Sequence, residues 1–352
     1  MKNKSFWQTL AKPIVGLAPM DGVSDQPFRF IQKKYGKPDL VFTEFVSVEG
    51  LCHSAEMLLD HLLYDSSQKP IVAQLYGKTP DFFRQAATLV CQLGFDGIDI
   101  NMGCPAKNVA AHGSGAALIQ TPKLAQAIIS ATKLGVIDWQ NGKSASDCPD
   151  FSARIISQVK PRIKSIKVDR KKVLPVSIKT RIGYSSPKIE TWLPILLETL
   201  PAAVTIHGRT LKQGYSGQAD WEEIARGAAV PRAADTLILG NGDIQSRSQA
   251  LEYAKKYQVD GILIGRASFG NPYVFRSEDD KVSISLPQIA LEHALIFEKT
   301  FSQKAKYSFL PMRKHLGWYI RGQNKAKEIR TALMNSQNST DVEKILKRYS
   351  LI

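Results

Sequence analysis

The chain has 352 residues, of which 43% are hydrophobic and 22% are charged, a composition typical of a folded protein with a substantial core. Its 47 Lys and Arg against 32 Asp and Glu give a formal charge of +15, which predicts a surface that attracts a polyanion, with nucleic acid as the first candidate. No run approaches the roughly 18 apolar residues of a membrane span, and the N-terminal residues lack the apolar core of a signal peptide, so we expect a cytoplasmic protein without membrane contact. The four cysteines form no CxxC pair, which predicts reduced thiols and no metal site.

Short apolar runs separated by helix-length connections predict an α/β fold. The runs are rich in Ile, Val and Leu, as is typical of parallel strands that are covered on both faces. They occupy residues 14–20, 39–46, 70–77, 97–103, 175–183, 202–210, 236–243 and 261–267. This succession of eight βα units predicts a closed (β/α)8 TIM barrel. A doubly wound open sheet is the alternative, but the place of its glycine-rich phosphate loop is taken by APMDGVSDQPFR.

Polar or ligand-capable side chains stand near the carboxyl end of each predicted strand. They are Met20, Glu44, Gln74, Asn101 with Cys104, Lys179 with Arg181, His207, Asn241 and Arg266. In a TIM barrel all of these strand ends open onto one face, where the active site is built. We therefore expect these residues to surround one cavity.

Two basic segments depart from the barrel pattern. Residues 137–172 are longer than one barrel helix requires, and their second half, 154–172, holds 8 Lys and Arg against 1 Asp. This insertion is either a solvated surface or a contact with a polyanion. From residue 281 the apolar spacing becomes helical, with 13 Lys and Arg against 5 Asp and Glu. We predict a barrel domain over residues 1–276 and a helical domain over 281–352 that clamps a large anionic substrate.

Six motifs occur in an order that points to a known family. They read LAPMDGVSDQPFR, DINMGCPAKNV, SIKTRIG, TIHGRT, GNGDI and GILIGRASFGNPYVF. In this order and context the chain resembles the bacterial tRNA-dihydrouridine synthases, flavin enzymes that reduce uridines in tRNA. The resemblance continues into RKHLGWYIRG, which is similar to a C-terminal signature of the NifR3-like branch. It implies a TIM barrel that carries the flavin, followed by a helical domain that binds tRNA.

The resemblance also implies the reaction and its cofactors. Tightly bound FMN, reduced by NADPH or by NADH, would deliver a hydride to C6 of uracil, while an acid supplies a proton to C5. Cys104 matches the proton donor of the family. Its chemistry fits, because a thiol with a pKa of about 8.5 is largely protonated at neutral pH. The alternative is a loop cysteine that only packs.

The contacts with FMN follow from the same resemblance. For the flavin ring the implied residues are Pro19, Met20, Asp21, Gln74, Lys179 and His207, and for the phosphate they are Asn241, Gly242, Asp243, Gly265 and Arg266. Gln74 would hydrogen-bond the polar edge of the ring, and Lys179 would favour the anionic reduced flavin. Barrels commonly bind a phosphate after the seventh and eighth strands, where glycine leaves backbone N–H groups accessible.

Two residues are expected to contact the substrate. Asn101 would read the amide edge of uracil, and Arg181 would contact a carbonyl of the base or a neighbouring phosphate. Each residue could instead satisfy the backbone of a strand-end loop.

Two other functions compete with tRNA reduction. A reductase of free pyrimidines would not need the +15 charge or the helical domain, and a non-catalytic RNA-binding protein would not need the acid or the flavin residues. We expect tRNA as the partner and a monomer as the working form.

Overall fold

The computed structural model describes most of the chain. The described residues are 5–53, 55–163, 166, 168–277, 279–280, 284–304 and 306–352, without the side chains of Lys107 and Asn108. Lys164 and Lys167 of the predicted basic insertion, and the predicted start of the helical domain at residue 281, lie outside these residues.

All eight predicted strands are present and parallel, and they form one sheet. They are β1 (Ile14–Leu17), β2 (Val41–Ser47), β3 (Ile71–Tyr76), β4 (Gly97–Met102), β5 (Val176–Gly183), β6 (Ala203–Thr210), β7 (Leu237–Asn241) and β8 (Gly261–Ile264). The strands pair in chain order from β2 to β8, and β8 pairs with β1. Two backbone hydrogen bonds of 3.0 Å, from Leu17 N to Leu40 O and from Asp39 N to Val15 O, join β1 to the residues that lead into β2. The sheet therefore curls into a barrel, and the open doubly wound alternative is wrong.

One short helix precedes the first strand, further helices between and after the strands cover the barrel, and the last four helices follow the barrel. The helices are α1 (Phe6–Thr9), α2 (Gln26–Ile31), α3 (Val48–Cys52), α4 (Pro80–Gln92), α5 (Lys107–Ala111), α6 (Pro122–Gln140), α7 (Ala153–Ile163), α8 (Ile189–Leu197), α9 (Trp221–Ala229), α10 (Arg247–Lys256), α11 (Leu286–Phe301), α12 (Leu310–Tyr319), α13 (Ala326–Leu333) and α14 (Ser339–Arg348). Within the described ranges, none of these helices has the length and apolar character needed to span a membrane.

Strand side chains alternate between the helix layer and the barrel interior. On β4, Ile98, Ile100 and Met102 belong to the large core shared with the covering helices. The intervening Asp99 and Asn101 hydrogen-bond to a residue of the neighbouring strand inside the barrel. The period of two along a strand thus separates the packing residues from the polar ones.

Helices α11–α14 enclose a second core that also includes part of the barrel wall. Leu316 and Tyr319 of α12 are fully buried in it, and so are Ile31 at the end of α2 and, nearly so, Tyr35 in the following turn. The ring of Phe28 on α2 lies 5.4 Å from that of His315, centroid to centroid. The C-terminal helices are therefore fastened to the barrel helix that follows β1.

The insertion before β5 packs against the barrel rather than standing free. Helix α6 continues to Gln140, so the added segment begins after this residue and not at 137. On α7, Arg162 donates from Nη1 to Leu59 O at 2.6 Å. Beyond α7, the Arg170 guanidinium lies 3.7 Å from the centre of the Trp139 ring, and Lys172 Nζ lies 3.3 Å from Asp96 Oδ1. Part of the basic charge of the insertion is thus bound within the protein.

Candidate active site

A cavity of about 1020 Å³ opens at the carboxyl ends of the strands. Of the residues predicted for the site, it is lined by Pro19, Met20, Asp21, Asn101, Cys104, Lys179, Arg181, His207, Asn241, Gly242, Asp243, Gly265 and Arg266. Two polar residues at strand ends, Gln74 and Glu44, do not line it. The barrel therefore brings nearly all of the predicted site residues to one place.

Gln74 lies beneath the cavity, in the barrel interior. Its Nε2 donates to Asp99 Oδ2 at 2.7 Å, and its Oε1 accepts from Asn101 Nδ2 at 3.0 Å. Asp99 also accepts from Ser177 Oγ at 2.6 Å, and burial raises its pKa to about 6. Gln74 thus supports the cavity floor from below, while its contact with a flavin ring stays a prediction.

The loop that carries Cys104 is held by two predicted substrate residues. Asn101 Oδ1 accepts hydrogen bonds from the backbone N–H of Gly103 at 3.0 Å and of Cys104 at 2.9 Å. Arg181 Nε donates to Gly103 O at 2.6 Å, and its Nη1 donates to Thr210 O at 3.1 Å. Both side chains line the cavity, yet both also serve the loop backbone. The observed contacts are those of the alternative given above, in which each residue satisfies the backbone of a strand-end loop. Contact of either residue with uracil stays a prediction.

The Cys104 thiol is 8% exposed at the cavity wall. Burial raises its pKa above the usual value, so the thiol is protonated at neutral pH. Burial has the opposite effect on the pKa of His207, which also lines the cavity. Together with nearby cations such as Lys179, burial lowers this pKa well below 6.5. His207 is therefore neutral, and its Nε2 accepts from Arg209 Nη1 at 3.3 Å, since a guanidinium can only donate.

Five cationic side chains line the cavity: Lys179, Arg181, Arg209, Lys212 and Arg266. Burial and the charge of Arg181 lower the pKa of Lys179 to about 8. Arg209 and Arg266 both bind Asp243, with their Nη2 atoms 2.6 Å and 2.7 Å from its carboxylate oxygens. The cations outnumber the carboxylates of Asp21 and Asp243, so the cavity suits an anionic ligand.

The turn after β7 offers unpaired backbone donors to this cavity. Gly242 has φ +136°, and an added Cβ would stand 2.5 Å from Ala219 Cβ, so only glycine fits there. Among the described residues, the N–H groups of Gly242 and Asp243 donate no hydrogen bond to the protein. Beside the Arg266 guanidinium, these donors are the kind that bind a phosphate.

The sequence analysis missed Arg209, Asp99 and Ser177. Arg209 is 2% exposed and lines the cavity, whereas the other two stand in the network beneath it. Each lies two residues from a predicted site residue on the same strand, so each points to the barrel interior. The alternation of inward and outward side chains could have found them. It is visible in SIK (177–179), DIN (99–101) and HGR (207–209), where the first and third residues point to the barrel interior.

Comparisons with known proteins agree with this geometry. The family model described as "Dihydrouridine synthase (Dus)" matches residues 16–137 and 147–350. A "Probable tRNA-dihydrouridine synthase" of Staphylococcus epidermidis is 34% identical over 350 residues, which cover 98% of this chain and 96% of that protein. A "Probable tRNA-dihydrouridine synthase 2" of Bacillus subtilis is 33% identical over 352 residues, with 98% and 96% coverage.

A solved structure supports the architecture. DHODH of Eimeria tenella in complex with ferulenol matches this chain with a TM-score of 0.50 at 13% identity, over 81% of each chain. At this identity the likeness concerns the fold alone. The family match and the relatives, by contrast, extend over almost the whole sequence, from the first strand of the barrel into the last C-terminal helix. The chain therefore belongs to the dihydrouridine synthase family.

Proposed function

We propose that this chain, a tRNA-dihydrouridine synthase, reduces the C5–C6 double bond of specific uridines in tRNA with FMN as the bound cofactor and NADPH as the reductant. The names of its relatives support tRNA as the substrate. The observation that carries the chemistry is the meeting of a protonated thiol, Cys104, and five cations in one cavity at the barrel mouth. A reductase of free pyrimidines has no comparable support from the relatives.

The residues present fit FMN. The free N–H groups of Gly242 and Asp243, together with Arg266, suit its phosphate, and the volume of about 1020 Å³ leaves room for a flavin and a base. When bound, FMN supplies the hydride that C6 of uracil receives. Lys179 holds a positive charge in the cavity wall, which stabilises negative charge on a ligand there.

Cys104 supplies the proton that C5 receives. The thiol is the better donor of the two groups considered, because neutral His207 uses its Nε2 as an acceptor and carries no extra proton. Asn101 and Arg181 keep the Cys104 loop in place through its backbone. A uracil stacked inside a folded tRNA cannot reach the cavity, so the target nucleotide must be extruded, at a cost of a few kcal/mol.

The test of this function uses tRNA and free uracil as competing oxidants. The protein is reduced with NADPH without oxygen and mixed with tRNA that lacks dihydrouridine, or with uracil. We expect reoxidation and dihydrouridine only with tRNA, and FMN as the flavin released on denaturation. Equal reoxidation by uracil would favour the free-pyrimidine reductase, and recovery of FAD alone would contradict the phosphate site.

The tRNA contact is proposed to lie on the C-terminal helices, residues 281–352, which carry 13 Lys and Arg against 5 Asp and Glu. Since phosphate contacts release counterions, the affinity for tRNA should fall steeply between 50 and 200 mM salt, by roughly 10³-fold if six phosphates are contacted. Equilibrium binding at several salt concentrations measures this slope. Substitutions that remove the charge of exposed lysines are preferable to deletion of the helices. Deletion would expose Ile31 and Tyr35, which are buried in the same core as these helices. A slope near zero would contradict the electrostatic contact.

A pH dependence follows from Lys179. Its pKa is lowered to about 8, so the side chain is charged below this pH and neutral above it. The rate of single-turnover reduction of tRNA should therefore fall as pH rises through about 8, while Cys104, with its raised pKa, is still protonated. Lys179→Arg should keep the rate level to higher pH, and Lys179→Met should be slow at every pH. An unchanged profile in Lys179→Met would assign the transition to another group.

A further inference from the structure

A second pocket of about 580 Å³ lies between the barrel and the C-terminal helices. Its wall includes Gly22, Glu44 and Met57 from the barrel side and Phe301 and Tyr307 from the helical side. It adjoins the active-site cavity, because Gly22 lines this pocket while the residues on either side of it in the chain, Asp21 and Val23, line the cavity. We call it the interdomain pocket.

Apolar side chains form two sides of the interdomain pocket. Met57 is 61% exposed, an unusual exposure for a large apolar residue that lines a cavity. Phe297 and Phe301 also line the pocket, with ring centroids 5.0 Å apart. Such surfaces accept the flat face of a nucleobase, since every base can stack on an aromatic or apolar side chain.

Hydrogen-bond acceptors form another side of the interdomain pocket. Glu44 is 4% exposed, and its Oε2 accepts from His61 Nδ1 at 3.0 Å. Because each carboxylate oxygen can accept two hydrogen bonds, both oxygens can still accept from a ligand. Asp25, also in the wall, is half-buried, and the loss of hydration around its carboxyl group raises its pKa to about 7. The Tyr307 hydroxyl is buried, and no described residue is within hydrogen-bond reach of it. The pocket thus favours a ligand that donates hydrogen bonds.

Two lysines border the pocket, beside the four carboxylates of Asp25, Glu44, Glu56 and Asp60. Lys304 and Lys306 line the pocket, and Lys304 Nζ lies 2.7 Å from Asp60 Oδ1. Phosphates of a nucleic acid would meet these amines while a base enters between the apolar walls. Among the four RNA bases, guanine presents two neighbouring N–H donors, N1 and the 2-amino group, that match one carboxylate.

We propose that the interdomain pocket binds the base of a guanosine that lies close to the target uridine in the same tRNA. Apolar walls, a buried carboxylate, an unpaired hydroxyl and a basic border meet there, next to the cavity that takes the uridine. This inference rests on the proposed function, because it takes tRNA as the substrate. It adds a second contact, by which the enzyme selects the sequence beside the uridine it reduces.

Equilibrium binding of tRNA to the full-length, flavin-loaded protein tests the site. Met57→Ala removes one stacking wall from an exposed position, and Glu44→Gln removes the carboxylate at constant size. We expect each to raise the Kd for tRNA about tenfold while flavin reduction by NADPH stays at the wild-type rate. Leu134→Ala, at an exposed position on α6, and Glu223→Gln, at a buried position on α9, lie outside the pocket and outside the C-terminal helices. They are the matched controls and should leave the Kd unchanged.

Inosine identifies the base. Each guanosine near the target uridine is replaced in turn by inosine, which lacks the 2-amino group. One replacement should weaken binding to the wild type and leave binding to Glu44→Gln unaffected. Equal losses in both proteins, or wild-type Kd values for both Met57→Ala and Glu44→Gln, would overturn the proposal. These binding measurements need no turnover, so a failure of the proposed function is seen separately, as a wild-type protein that forms no dihydrouridine in the same tRNA.

Discussion

Replacement of Cys104 with alanine is expected to slow the single-turnover reoxidation of the reduced enzyme by tRNA by about 10²-fold or more, the usual effect of losing a positioned general acid. The thiol is protonated at neutral pH and lines the cavity, whereas neutral His207 carries no extra proton. Asn101 and Arg181 hold the backbone of the loop and remain in the alanine variant, which loses only the contact between the thiol and the backbone of Ala106, so the loop should retain its shape. Stopped-flow absorbance of the flavin without oxygen measures the rate.

Cys148 provides the matched control. It is also 8% exposed, but it lies outside the cavity, so Cys148→Ala should reoxidise at the wild-type rate. Both variants should bind FMN and accept electrons from NADPH as the wild type does. A Cys104→Ala protein that reoxidises normally and yields dihydrouridine would show that the thiol only packs and that another group supplies the proton.

Replacement of Arg209 with glutamine is expected to weaken FMN binding tenfold or more. The guanidinium donates to Asp243, to the carbonyls of Ser216 and Gly217, and to His207 Nε2, which no neutral side chain of similar length can do. Without it, Arg266 and the Ala219 N–H are the partners that Asp243 keeps among the described residues, and its negative charge then faces the proposed phosphate site. Titration of the apoprotein with FMN, followed by flavin fluorescence, measures the affinity.

Arg226 is the control for this variant. It pairs with Glu223 on α9, is 59% exposed, and lies outside the cavity, so Arg226→Gln should keep the wild-type affinity for FMN. The Arg209→Gln protein should also be less stable by on the order of 2 kcal/mol, because it loses charge-assisted hydrogen bonds at a buried position. Unchanged FMN affinity together with reduced stability would make Arg209 a purely structural residue.

Strand positions and the residues at their ends could be predicted from the sequence because they depend on local patterns. Apolar runs such as VSIKTRIG mark a strand, and the topology of a barrel then gathers every strand end at one face. The same reasoning places Lys179, His207 and Arg266 around one cavity before any coordinates are known, and all three line the cavity in the structure, while their roles in the site stay predictions.

The hydrogen-bond partners of those residues could not be predicted, because they depend on packing between strands. A strand-end amide such as Asn101 can face a ligand or its own loop, and its register beside Lys179 and above Gln74 decides which contacts it makes. Arg209 went unnoticed because its partner Asp243 belongs to a different strand end, more than thirty residues later in the sequence. The roles of these residues toward FMN and uracil stay predictions.

The core shared by α2 and the C-terminal helices has a mechanical consequence. With Ile31 and Tyr35 buried among those helices, the helices cannot swing away from the barrel without exposing apolar surface to water. Met20, Asp21 and Val23, in the segment that leads into α2, line the cavity, so the span from the basic helices to Cys104 has a set length. If tRNA binds these helices, as proposed, this fixed distance selects the substrate position. The uridine that is reduced is the one whose distance from the bound part of the tRNA equals the distance from the helices to Cys104.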